Sequence, residues 1–235
     1  SGDYDEAMRQ QKFARAIFEA AGDPQNVMMC DANLAQILSR VSLPEAVDAY
    51  YRLLEQAPGM EIESTARNNL VSRLLQLNRS EEALQHAQRA VALRRGLNDP
   101  DLLSSALNNL GLVYSIIGDP ISALHHWNEA IELIIPLAKT SALARLGALR
   151  SRVLRMVSGP EAAREALVLA RTWLPEGTRP PAVLLLEEAT DLIERGEMKQ
   201  AIADLSAMLS VHSEDIAGAE EASLLMARAL IKLGR

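Results

Sequence analysis

The sequence predicts an all-α chain built from about twelve antiparallel helices paired into hairpins. Three observations carry this expectation. Hydrophobic residues make up 49% of the chain but aromatic ones only 3%, so alanine and leucine, both strong helix formers, supply most of the apolar mass. The ten prolines stand where helices would begin or end, because proline removes a backbone donor and clashes with the preceding turn. The third observation is a repeat. A turn-like phrase closing on alanine recurs at Ala7, Ala46, Ala83, Ala123, Ala163 and Ala201, with intervals of 39, 37, 40, 40 and 38. A turn followed by a small residue on the next helix, at near-constant period, means stacked helical hairpins.

Taken in order, residues 1–21 supply a second helix without its partner. Hairpins follow over 26–57, 61–96, 100–135, 139–173 and 181–210, and residues 215–235 supply a first helix alone. Pro44, Pro120 and Pro160 each open a helical run at the first-turn position that proline tolerates. Apolar residues at three- and four-residue spacing, such as Leu70, Leu74, Leu77 and Leu107, Leu110, Tyr114, give each helix a buried face. No segment alternates with the period of a strand for long. The whole reads as one solenoid over 1–235. Its mid-repeat start and finish are what a piece of a larger protein would have, since a solenoid normally ends in polar capping repeats.

The stretch Leu107, Leu110, Gly111, Tyr114, Ala123, Trp127, Ala130 resembles the tetratricopeptide repeat pattern at matching offsets, with Pro136 one place late. The preceding repeat matches more loosely through Leu70, Leu74, Ala83 and Ala90. The last repeats keep Ala201, Leu205 and Met208, then Ala227 and Leu230. The period near 39 is similar to the lengthened repeats of kinesin light chains and bacterial regulators. The resemblance implies a right-handed α-α superhelix whose first helices line a concave groove. The small residues Gly111, Ala123 and Ala130 would let backbones approach, and Tyr114 and Trp127 would fill the gaps between them.

Aligned on this pattern, Asn33, Asn69 and Asn109 occupy one equivalent site, each followed by leucine. In lengthened repeats an asparagine ladder at this site bonds the backbone of an extended peptide, and an amide carries both donor and acceptor for that task. Asn68 and Asn108 flank the ladder. The alternative is that these amides bond their own neighbours. The fourth first-helix carries Arg145, Arg152 and Arg155 on one face, within a stretch from Leu133 to Pro160 that has no acidic residue. Their planar forks suit an acidic side chain, a phosphate or a peptide C-terminus. The competing reading pairs them with Glu187, Glu188 or Asp191 of the next repeat.

The expected function is therefore a protein-interaction module that holds an extended segment, acidic or phosphorylated, belonging to another protein or to another domain of the full-length chain. Two alternatives stand beside it: a peptide- or ligand-sensing domain of a bacterial signalling or transcription regulator, and a self-association domain acting through open solenoid ends. The net charge of −7 hides a basic middle, with residues 64–180 at +4 between segments of −6 and −5. Catalysis is not expected. No phosphate loop, nucleophile elbow or paired-carboxylate signature appears, and Cys30 stands alone. No cofactor or resident metal is expected; the adjacent His125 and His126, with Glu129, read as a solvated outer face. No apolar stretch is long enough for a membrane span. The first thirty residues lack a secretory signal, and the acidic balance disfavours nucleic acid. A cytoplasmic location follows from these features.

Overall fold

A computed structural model describes residues 2–56, 59–211 and 216–234. The hairpin ends expected at 57 and 215, and Pro58, lie outside the described residues. Twelve helices and no strand are present among those described. They are α1 (Gly2–Ala20), α2 (Pro24–Leu38), α3 (Leu43–Glu55), α4 (Met60–Gln76), α5 (Ser80–Gly96), α6 (Pro100–Ile117), α7 (Pro120–Ile134), α8 (Thr140–Val157), α9 (Pro160–Thr172), α10 (Ala182–Glu194), α11 (Met198–Val211) and α12 (Ile216–Lys232).

Three of the helices start at an Asp-Pro pair. The carboxylate of Asp23 accepts the backbone N–H of Asn26, that of Asp99 accepts Leu102, and that of Asp119 accepts Ser122. The proline that follows each aspartate sits where its missing donor costs nothing. The turn from α6 to α7 passes through Gly118 at φ 85°, a left-handed conformation that glycine adopts without penalty. Asn78 does the same between α4 and α5, at φ 58°. Asparagine tolerates that region because its short side chain bonds locally, which is why this turn could lose its glycine and keep its shape.

The chain divides into two compact units, residues 1–130 and 131–235. In the first, each helix from α1 to α6 packs on its neighbour in sequence, and the first helices α2, α4 and α6 also touch side by side. In the second, α8 packs on α9, α10 on α11 and α11 on α12, while α8, α10 and α12 line up in turn. The cores are mainly aliphatic, with Trp127 and Tyr50 also fully buried in the first unit. Leu53, Leu70, Leu74 and Leu107 are fully buried in the first unit, and Leu146, Leu184, Ile193 and Leu205 in the second.

The small residues set how closely helices approach. A Cβ added to Gly111 would stand 2.5 Å from Trp127 Nε1. The indole therefore lies flush against the α6 backbone and donates its N–H to the Asn108 carbonyl at 3.2 Å. A Cβ on Gly147 would meet Ala170 at 2.6 Å. Gly111 thus makes room for Trp127, and Gly147 for Ala170 and Trp173.

Candidate peptide-binding face

The expected site residues fall on first helices: Asn33 on α2, Asn68 and Asn69 on α4, Asn108 and Asn109 on α6, and the arginines on α8. Four of the five asparagines are half-buried, and Asn108 is buried. They do not stand as isolated rungs. Asn109 Nδ2 donates to the Asn68 side-chain oxygen at 2.9 Å and to the Asn68 backbone carbonyl at 3.1 Å. Asn68 Nδ2 reaches Ser105 Oγ at 3.5 Å, and Asn108 Nδ2 donates to Asn109 Oδ1 at 3.3 Å. A chain of amides therefore staples α4 to α6.

Asn33 belongs to a different contact, donating to Gln11 Oε1 of α1 at 3.4 Å. Asn69 lies by the Tyr50 hydroxyl, with Ser39 and Arg73 near the same group. That hydroxyl is buried, makes no hydrogen bond of good geometry among the described residues, and is pushed above its ordinary pKa by burial.

The amide chain leaves capacity unused. Asn68 keeps one N–H, and the side-chain oxygens of Asn68 and Asn109 each accept only one bond. Asn69 makes no well-formed side-chain bond within the described residues. Ser105 was not expected at this face. It lies one turn before Asn109, so helical spacing alone would have placed it there.

The arginines separate into two groups. Arg152 bonds Glu187 and, at 2.7 Å, Glu221; Arg155 bonds Glu194 at 2.6 Å and Glu187 at 3.2 Å. Glu187 is buried, its side chain only 4% exposed, and it receives both forks. Arg152 and Arg155 thus tie α8 to α10 and α12 within their own unit. Glu188 faces Arg171 instead, at 3.8 Å, and Asp191 is held by Arg164 at 3.0 Å. Glu194 was absent from the sequence expectation, although it stands seven residues from Glu187 and shares its helix face. Arg145 is exposed and makes no ion pair among the described residues. It borders a shallow cavity of about 410 Å³ with Ser141, Pro180 and Pro181.

α4 contributes one further polar contact, with a fixed protonation state. Arg67 Nη1 donates to His86 Nδ1 at 2.9 Å, and Tyr51 Oη lies 3.4 Å from His86 Nε2. An arginine cannot accept, so Nδ1 must be the bare nitrogen and Nε2 carries the proton. Burial, and then the charge of Arg67, hold His86 below its ordinary value of 6.5. Burial also pushes the Tyr51 hydroxyl up to about 12. A depressed histidine pKa stabilises the fold fully above the unfolded value. The contribution is lost as pH falls through 6.5 towards the folded value, because the unfolded chain then binds the extra proton. Urea melts at pH 7.5 and 5.5 are expected to give a lower midpoint at the acid pH, and His86→Gln is expected to shrink that difference.

Residues 61–135 match the model of the tetratricopeptide repeat family. No curated protein sequence matches the chain. Among solved structures, a chain of the APC/C hetero-tetramer Cut9–Hcn1 is 21% identical with a TM-score of 0.65; the match covers 94% of this chain and 40% of that one, so this chain spans well under half its length. BtubC from P. vanneervenii is 16% identical with a TM-score of 0.64, covering 98% and 91% of the two chains. A putative kinesin light chain of Podosopora anserina with nearly identical TPR-like repeats is 13% identical with a TM-score of 0.60, covering 80% and 96%. At these identities the similarity concerns the fold. No described helix is long and apolar enough to cross a membrane.

Proposed function

We propose that this chain, whose residues 61–135 match the tetratricopeptide repeat family, is a protein-interaction scaffold whose α2–α4–α6 face holds an extended peptide segment. One observation carries the reading: half-buried amides on adjoining first helices keep donors and acceptors that their mutual bonds leave unused. A helix interior is a poor place for asparagine, which competes with the backbone for hydrogen bonds. Asn33, Asn68, Asn69, Asn108 and Asn109 on these three helices suit a face that bonds a second backbone. Such a face reads main-chain N–H and C=O groups, and side-chain specificity comes from elsewhere.

In this reading Asn68, Asn69 and Asn109 are the central contacts and Asn33 extends the row. Asn108 orients Asn109 from below. Arg145 belongs to the 131–235 unit, where its exposed guanidinium suits an acidic or phosphorylated side chain independently of the amide face. Arg152 and Arg155 are occupied within their own unit, where their forks already hold Glu187, Glu194 and Glu221.

Fluorescence anisotropy against an array of extended peptides tests the proposal. Asn69→Ala/Asn109→Ala is expected to weaken binding by about tenfold or more, as losing two neutral hydrogen bonds should. Arg145→Ala is expected to weaken acidic peptides that bind the 131–235 unit without altering the Asn-dependent binding, and added salt to do the same. Unchanged affinity in the asparagine double variant, with its thermal melt intact, would sink the reading.

A further inference from the structure

The second helix α7 offers a cluster that peptide binding does not use. His125, His126 and Glu129 fall within little more than one turn, so Glu129 is four residues from one histidine and three from the other. Both spacings bring side chains together on a helix. One ligand atom from each of the three lies within 4.8 Å of the others. The sequence suggested a solvated outer face, and His125 is indeed exposed, but His126 and Glu129 are half-buried.

His126 is held in place while its Nδ1 goes unsatisfied. Its ring stacks on Tyr114, centroids 5.4 Å apart and planes 19° from parallel. Its Nδ1 is buried without a hydrogen-bond partner among the described residues, 3.9 Å from Glu129 Oε2. A buried polar atom left unpaired carries a desolvation cost that a ligand would relieve. On the far side, Arg95 Nη2 bonds both oxygens of Glu129, at 2.7 and 2.9 Å.

We propose that His125, His126 and Glu129 form a binding site for a borderline divalent transition-metal ion of the zinc class. Two imidazoles and a carboxylate suit such ions, whereas calcium and magnesium prefer all-oxygen shells. Tetrahedral zinc with bonds of about 2.0–2.1 Å needs ligand atoms about 3.3 Å apart. Closing the set from separations of up to 4.8 Å asks side-chain rotations on one helix. Arg95 competes with the ion for Glu129: its charge opposes the metal, and it must swing outward when the metal enters.

Titration of the full chain with Zn(II), in competition with a chromophoric chelator at pH 7.5, tests the site. One equivalent is expected to bind, with Mg(II) and Ca(II) failing to displace it. His125→Ala, His126→Ala and Glu129→Gln are each expected to weaken binding by about tenfold or more, and His86→Ala to leave it unchanged. Arg95→Ala is expected to tighten it, an outcome that nonspecific histidine binding does not produce. Circular dichroism confirms that each variant remains folded. Absence of a zinc-binding equivalent would overturn the proposal, as would binding indifferent to His125→Ala or binding weakened by Arg95→Ala.

Discussion

Trp127→Ala is expected to destabilise the 1–130 unit by about 3–5 kcal/mol, the range for deleting a large buried aromatic side chain. Trp127 is 1% exposed and lies against Gly111, where no other residue type fits without movement. Its loss opens a cavity beside the α6 backbone and removes the side-chain donor that the indole supplies to the Asn108 carbonyl. The complementary change, Gly111→Ala, places a methyl group 2.5–2.9 Å from three indole atoms and is expected to cost about 1–3 kcal/mol through overpacking. Urea melts followed by tryptophan fluorescence measure the second variant, and circular dichroism the first. Because Asn108 also donates to Asn109, both changes should disturb the amide chain as well as the core.

Glu187→Gln is expected to destabilise the 131–235 unit by about 3 kcal/mol, as breaking a buried ion pair from one side generally does. The substitution keeps the shape and removes the charge. Arg152 and Arg155 then face one another across a neutral amide, and Arg155, only 14% exposed, retains Glu194 alone. Replacing all three groups by apolar residues of similar volume should cost far less, because the carboxylates then left without arginines, Glu194 and Glu221, are 29% and 44% exposed and stay hydrated. Chemical denaturation of the single and triple variants separates the two cases. A single variant as stable as the parent would mean that Glu187 holds neither arginine in solution.

Much of the fold could be read directly from the chain. Asp-Pro pairs at 23–24, 99–100 and 119–120 announce helix starts because the carboxylate and the ring each meet a geometric need there. Gly111 and Trp127 announce a close approach because only that pairing fills the space. The site was less legible. Asn68, Asn69 and Asn109 could be placed on first helices from the repeat, but their mutual bonds depend on how α4 and α6 are offset along their axes, which periodicity does not set. The arginines illustrate the limit more sharply. A stretch free of acids from 133 to 160 suggested an open cationic face. Two of its guanidiniums are instead neutralised by Glu187, Glu194 and Glu221 from helices 32 to 69 residues away. Local charge counts cannot detect such partners. The same holds for the basic middle of the chain, where Arg89 reaches Glu63 26 residues away and Arg95 reaches Glu129 34 residues away.

The central claim is that Asn69 and Asn109 bond the backbone of a bound segment. Nitrogen-15 spectra of the chain report their side-chain NH₂ groups directly, each assigned from the resonance that disappears in the single alanine variant. With a saturating peptide selected from the array, both pairs of signals are expected to shift, and to shift alike for peptides of different sequence. Tight binding that leaves both pairs unmoved would contradict the account.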